Sequence, residues 1–114
     1  MTAIAPIVAY VAIPRTPEFV AELNDAIYTL IPATMARACD PKTPEIRDPA
    51  LLTTSHLHAH ATRLQHALET GEPDNLQTEA AYEGFLLMRE AATFWRDQQV
   101  RWPDLGEADE IASA

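Results

Sequence analysis

The four histidines of this chain all lie in one short stretch, TTSHLHAHATRLQH, and three of them alternate along it. If the stretch were a strand, His56, His58 and His60 would share one face, and three converging imidazoles are typical of a zinc site. In a helix His58 points away from the other two, and only His56 and His60 share a flank. Two imidazoles four residues apart can bind one metal ion, but only weakly without a third ligand. The secondary structure of this stretch therefore decides its chemistry.

Apolar spacing in the same stretch predicts a helix. Leucine and alanine recur there at intervals of three and four residues, at Leu57, Ala61, Leu64 and Leu68. We therefore expect no metal site, with His56 and His60 as the weak candidates for one, and we expect the histidines to be solvated or partly packed. A pH-responsive role is the remaining alternative, because imidazole titrates near neutral pH.

Other groups that do chemistry are sparse. The chain has one cysteine, Cys39, one lysine and three glycines, so the sequence offers neither an intramolecular disulfide nor a glycine-rich phosphate loop. Catalysis needs convergent groups with perturbed pKa values, and no such set is visible. We therefore expect no catalytic residues and no cofactor. The single cysteine suits a reducing compartment, and we expect a cytoplasmic protein.

The elements that carry these residues are predicted to be helices. Thr16 is a suitable N-cap for a first helix with Pro17 at its first position. This helix is expected to stop or kink at Ile31, because the residue before a proline is biased away from the α region, and a short piece from 33 to 38 follows.

Two further helices are framed by caps. The histidine helix is expected to begin with Asp48 as its cap and to end at Gly71. A last helix is expected to begin at Asp74, with Gln77 three residues on, and to run to about Arg101. The fold class is therefore all-α, a small single-domain bundle of three main helices.

The two ends of the chain differ from this bundle. Residues 7–13 form a continuous apolar run between prolines, which favours a short strand, a short buried helix or an extended strap over the core. As a strand it would have to pair with a second copy in a homodimer. The run is too short to span a bilayer. We treat residues 1–15 as an apolar strap and residues 104–114 as a frayed acidic tail.

The charge balance limits the partners. The formal net charge is −9, and such a surface repels phosphate backbones and anionic lipids, so we expect no direct nucleic-acid or membrane binding. A basic protein surface, including one that normally holds nucleic acid, would be attracted instead.

The last helix carries apolar residues over about half of its circumference. On a helical wheel, the residues that fall within this half, which we predict to be core, are Ala80, Gly84, Leu87, Met88, Ala91, Trp95 and Trp102. Phe85 and Phe94 lie at its two edges. The apolar residues that fall outside it, where we expect a modest exposed patch, are Tyr82, Leu86 and Val100.

A row of acidic residues runs beside that patch. Over about 27 Å of helix, at 1.5 Å per residue, the row contains Glu79, Glu83, Glu90 and Asp97. Charges can steer association while neighbouring apolar residues supply affinity, so we predict that this row, with Tyr82 and Leu86, binds a partner. The row is also a candidate mimic of nucleic-acid phosphates.

Size, charge and the scarcity of catalytic groups together favour a binding function. We expect a small acidic inhibitor or antagonist that occupies a basic, nucleic-acid-binding surface of a larger protein. Phage-encoded inhibitors of host defence, immunity proteins and antitoxins are proteins of this kind. The alternatives are a metal- or ligand-binding bundle that uses His56 and His60, and a structural homodimer assembled through residues 7–13.

Overall fold

The computed structural model describes residues 9–98, and its elements are all helical. In chain order they are helix α1 (Pro17–Asp25), a π-helical segment (Ala26–Leu30), helix α2 (Ile31–Ala38), a 3-10 turn (Pro44–Ile46), helix α3 (Arg47–Thr70) and helix α4 (Leu76–Asp97). Helices α1 and α2 and the π segment form one uninterrupted first helix, so the described chain has three main helices. The all-α prediction is confirmed.

The first helix passes through its proline without breaking. Ile31 has φ −60° and ψ −50°, which is ordinary α-helical geometry, so the helix does not stop at this position, and the predicted stop is wrong. A proline inside a helix lacks the N–H and its ring presses on the carbonyl four residues earlier, which here belongs to Tyr28. Tyr28 lies in the wider turn of the π segment, and that wider turn accommodates Pro32.

The caps of α1 and α3 differ in how well they match the predictions. Thr16 caps α1 as expected, because its hydroxyl oxygen accepts the N–H of Phe19 at 3.1 Å. Helix α3 begins at Arg47, one residue before the expected cap Asp48, because the 3-10 turn leads directly into it. The Asp48 carboxylate instead lies in the first turn and accepts from Arg47 at 3.2 Å. The prediction of an Asp48 cap is therefore wrong.

Helix α4 is capped one residue later than expected. Asn75 accepts the N–H of Thr78 at 2.9 Å, and the Thr78 hydroxyl oxygen accepts the N–H of Asn75 at 2.8 Å, a reciprocal capping box. The predicted pair of Asp74 and Gln77 is therefore wrong. The helix also ends at Asp97, earlier than the expected end near Arg101, because Gln98 takes an extended ψ of 119°.

The described part of the N-terminal run, residues 9–13, is neither helix nor strand and lies as a strap against the start of α4. Ile13 is buried, and its N–H donates to the Asp74 carboxylate at 3.4 Å. The N–H of Val11 donates to Glu79 at 2.9 Å, and Arg15 donates to Asp74 at 3.1 Å. Asp74 therefore holds the strap to the start of α4 instead of capping that helix. Residues 1–8, including the first two of the run from 7 to 13, lie outside the described residues, as do residues 99–114 with the predicted acidic tail.

The core is formed where all three helices meet. Phe19 of α1 packs edge-on against Phe85 of α4, with ring centroids 5.8 Å apart, and both rings are buried. The predicted stripe of α3 is confirmed, since Leu57, Ala61 and Leu64 are fully buried and Leu68 packs against them. A second cluster joins the end of α2 to the start of α3 and contains Ala38, Ile46, Ala50 and Trp95.

Gly71 ends α3 in the left-handed region, with φ 69° and ψ 24°. Gly71→Ala is expected to lower the free energy of unfolding by about 1 kcal/mol, because a Cβ disfavours this conformation. Space is not the reason, since nothing lies within 4 Å of that Cβ position. Urea denaturation followed by circular dichroism measures the loss. Gly71→Asn is the matched control and should lose less, because asparagine tolerates this region better than alanine; equal losses would contradict the explanation.

Candidate functional site

Helix α4 is rotated relative to its predicted orientation. Its buried residues are Thr78, Ala81, Phe85 and Ala92. Leu87, predicted to be core, is 62% exposed, and Phe94 is 55% exposed. Met88 and Trp95 are half-buried and do pack against the core, as predicted. The helical wheel predicted the wrong buried face for two reasons. Apolar residues lie on nearly every side of α4, and a polar residue, Thr78, is buried on the inner face. Val100 and Trp102 lie outside the described residues.

The exposed apolar patch is therefore not the predicted one. Tyr82 is half-buried, and its ring packs edge-on against Phe19 with centroids 5.6 Å apart. The placement of Tyr82 on the exposed side is wrong, whereas Leu86 is 37% exposed. The large exposed apolar side chains on the outer side of α4 are Leu76, Leu87 and Phe94, which we call the apolar strip. At 100° per residue they lie within about 20° of one another.

The acidic row divides into two engaged and two free carboxylates. Glu79 accepts the N–H of Val11 from the strap, and Asp97 pairs with Arg96 at 2.8 Å. The hydrogen bond from Arg96 lowers the pKa of Asp97. Glu83 and Glu90 are exposed, and within residues 9–98 neither has an ion-pair partner. The two free carboxylates, which we call the carboxylate pair, are about 10.5 Å apart along the helix.

Each member of the carboxylate pair lies one helical turn before a member of the apolar strip. Leu87 follows Glu83 by four residues, and Phe94 follows Glu90 by four residues. Residues at this spacing lie about 40° apart on the helix and are neighbours on its surface. Since the two units are seven residues apart, they point in the same direction. The arrangement presents two negative charges and two large apolar groups, which together can contact a partner that is basic on one side and apolar on the other.

The opposite flank of α4 is occupied by the rest of the protein. Arg89 donates to Glu22 of α1 at 2.5 Å, and its guanidinium lies 5.1 Å from the centroid of the Phe85 ring. The Thr34 hydroxyl of α2 donates to the carbonyl oxygen of Ala92 at 3.1 Å. These contacts fix the rotation of α4, and they leave the carboxylate pair and the apolar strip on the outside.

The histidine pair lies at the junction of α3 and α4. The rings of His56 and His60 are stacked, with centroids 6.4 Å apart and planes at 24°. The His60 ring meets Gly84 so closely that a Cβ there would lie 2.5 Å from its Nε2 atom. Burial, and then the neighbouring His56, lower the pKa of His60. His60 is therefore a packing group between two helices that favours its neutral form.

The remaining histidines do not join this pair. His58 and His66 are exposed elsewhere on α3, as the helical interpretation predicts. Among the side chains of residues 9–98, no group of three or more histidine, cysteine, aspartate or glutamate residues is placed to hold one metal ion. The pair His56 and His60 thus offers two nitrogen ligands at most within the described chain.

The corner between α3 and α4 is held by an ion pair. Arg63 donates two hydrogen bonds to the Glu72 carboxylate, at 2.8 and 2.7 Å, and a third to Gln77 of α4 at 3.1 Å. The bonds from Arg63, and then from Asn75, lower the pKa of Glu72 to about 2. This corner sets how α3 and α4 lie against each other, and so it positions the face that they share.

No protein-family model matches this sequence, and comparisons with curated proteins and with solved structures gave no match. Within residues 9–98 no helix has both the length and the apolar character needed to cross a membrane.

The sequence contains a pattern that predicts the apolar strip and that the helical wheel does not take into account. Both acidic residues of the pair are followed four positions later by a large apolar residue, in the segments EGFLL and EAATF. Residues repeated after seven positions lie on one face of a helix, and charged residues along that face favour its exposure to solvent.

Proposed function

We propose that this protein is a small acidic binding module that acts by occupying a basic surface of a larger protein, as an inhibitor or antagonist does. The observation that carries the proposal is the carboxylate pair Glu83 and Glu90, free of internal partners in the described chain and flanked by exposed Leu87 and Phe94. Solvated carboxylates accelerate and orient association with a basic surface, and adjacent apolar groups supply contact area.

The net charge of −9 supports the same class of partner. A surface that binds nucleic acid is strongly basic because it neutralises phosphates with lysine and arginine, and an acidic module can occupy it in place of phosphates. In the described chain only two of the four carboxylates of the row are free, so contact with such a surface would combine a few charges with apolar packing instead of copying a phosphate series. We place this action in the cytoplasm, where the single free cysteine, Cys39, would remain reduced.

Charge reversal at the carboxylate pair is expected to reduce capture of the partner strongly. Tagged protein would be used to capture partners from lysate of the source cells, at low and at moderate salt, with quantitative mass spectrometry as the readout. Glu83→Lys with Glu90→Lys should reduce the captured partner by about tenfold or more, and salt should weaken the wild-type complex, because the attraction between exposed charges is screened.

A second double variant controls for net charge alone. Glu45 and Glu69 are exposed carboxylates outside α4, and Glu45→Lys with Glu69→Lys changes the net charge by the same amount. This variant should keep the partner. If both double variants lost the partner equally, binding would depend on overall charge and not on the carboxylate pair. Circular dichroism should show unchanged helicity in both variants.

A further inference from the structure

Helix α3 extends the apolar strip of α4 into a face made of two helices. His60 meets Gly84 at the line where the helices touch, and Arg63 bonds to Gln77 along the same line. On the outer side of this line, within about 100° of His60, α3 presents the exposed residues Leu52, His56, Ala59 and Thr70, and Leu52 is 62% exposed. Half-buried Arg63 lies on the same side, and its charge is paired with Glu72.

Helix α4 contributes the other half of this face. Ala80, Leu87, Ala91 and Phe94 all lie outward of Gly84, on the side away from the buried Phe85, within about 80° of the glycine. Gly84 has no side chain, and the atoms nearest to its Cβ position belong to the His60 ring. The result is a surface, which we call the α3/α4 face, with Leu52 on its α3 side, Leu87 and Phe94 on its α4 side, and a low centre at Gly84.

One rim of the α3/α4 face is acidic. The carboxylate pair follows the far side of the apolar strip, while the outer flank of α3 carries Ser55, Thr62 and His66 and, at its start, Asp48 paired with Arg47. An occupant that is apolar on its inner side and basic along one flank would match this pattern. A second copy of the chain would bring its own net charge of −9, and the segment 99–114 carries four acidic residues, so neither is complementary in charge.

We propose that the α3/α4 face binds an amphipathic helix of the partner protein, with lysine or arginine at i and i+7 along one flank. This inference rests on the proposed function, because the basic flank would meet the same carboxylate pair. Two neighbouring helices form a groove in which a third helix can lay its apolar side. The seven-residue spacing of Glu83 and Glu90 sets the spacing of the basic residues, since both helices rise 1.5 Å per residue.

The probes are two synthetic helical peptides of about 18 residues, long enough to span the face of about 27 Å. Both have a leucine side; one carries lysine every seven residues along a flank, and the other carries glutamate at the same positions. Binding to the isotope-labelled protein is measured by calorimetry and by NMR chemical shifts. We expect saturable binding of the lysine peptide, shifts centred on His60, Gly84 and Leu87, and no binding of the glutamate peptide.

Three variants separate the contributions. Glu83→Gln with Glu90→Gln, and separately Leu87→Ser, should each weaken lysine-peptide binding by about tenfold, and Glu45→Gln with Glu69→Gln should leave it unchanged. Leu87 is exposed, so its loss should not unfold the protein. The inference would be overturned by chemical shifts centred on α1, by peptide binding that is insensitive to Leu87→Ser, or by no saturable binding at about 1 mM peptide. Dimerisation of the protein through this face, measured by sedimentation, would also overturn it.

The two proposals fail in different ways. Capture of the natural partner depends on the carboxylate pair, whether or not a helix is bound. Capture that is lost on charge reversal but insensitive to Leu87→Ser would leave the proposed function in place and reject the helical occupant. The opposite result is that peptide binding follows the expected pattern but capture of the natural partner is unchanged by charge reversal at the carboxylate pair. That result would establish the groove and reject the proposed function.

Discussion

Replacement of Phe85 by alanine is expected to lower the free energy of unfolding by about 3–5 kcal/mol. The Phe85 ring is fully buried, packs edge-on against Phe19 at 5.8 Å and lies beneath the guanidinium of Arg89. Its removal leaves a cavity where α1 and α4 meet. Since small domains are stable by only about 5–15 kcal/mol, the loss is a large share of the total, and urea denaturation should show it directly.

Phe94→Ala is the matched control for this loss. On the sequence wheel Phe85 and Phe94 are equivalent edge residues, but in the structure Phe94 is 55% exposed. Its replacement should change the free energy of unfolding by less than about 1 kcal/mol. If both alanine variants lost the same stability, α4 would not have the rotation that buries Phe85 and exposes Phe94, and the apolar strip would not be exposed.

The effect of Gly84→Ala is expected to change sign with the residue at position 60. In the wild type the new Cβ would lie 2.5 Å from Nε2 of His60, so the ring must leave its position and lose its packing. Such overpacking costs about 1–3 kcal/mol, against a gain of about 1 kcal/mol because alanine favours a helix more than glycine. We therefore expect a net loss in the free energy of unfolding.

In a His60→Ala background the same substitution should stabilise the protein by about 1 kcal/mol, because only the gain in helix propensity remains. Thermal and urea denaturation of the four proteins in this double-mutant cycle measure the coupling between the two positions. Independent effects of the two substitutions, with the same sign for Gly84→Ala in both backgrounds, would show that the His60 ring does not lie against Gly84.

Much of the fold follows from local signals. Thr16 and Gly71 act as helix caps through interactions with their immediate neighbours, and the apolar stripe of α3 repeats over several turns. Such signals need no knowledge of the rest of the chain. The same stripe was enough to show that the histidines lie on a helix, and hence that His58 and His66 are apart from His56 and His60.

The errors have a common physical origin in contacts between distant segments. Asp74 and Asn75 are adjacent, and both residue types are good N-caps. Asp74 accepts the N–H of Ile13 from the strap, so Asn75 caps the helix instead. Residues on both edges of the expected core of α4 are apolar, so the sequence pattern alone does not determine which face of α4 is buried. Contacts with the Phe19 ring of α1 and the Thr34 hydroxyl of α2 determine it.

The candidate site was predictable in charge but not in shape. Glu83 and Glu90 were both in the predicted row, whereas the engagement of Glu79 by the strap depends on a contact 68 residues away in sequence. The meeting of His60 and Gly84 depends on the corner held by Arg63 and Glu72, which sets the register of α3 against α4. The predicted row and the surface proposed here therefore share Glu83 and Glu90 and differ in part in their apolar neighbours.

The most direct measurement for the proposed function is photo-crosslinking in the source cells, with a photoreactive amino acid at position 87 or, as the control, at position 28. Leu87 and Tyr28 are both strongly exposed, on α4 and on the first helix. We predict that one partner is crosslinked from position 87 and not from position 28, and that Glu83→Lys with Glu90→Lys removes this crosslink. A partner crosslinked from position 28 alone, or a crosslink at position 87 that survives charge reversal, would contradict the proposed binding surface.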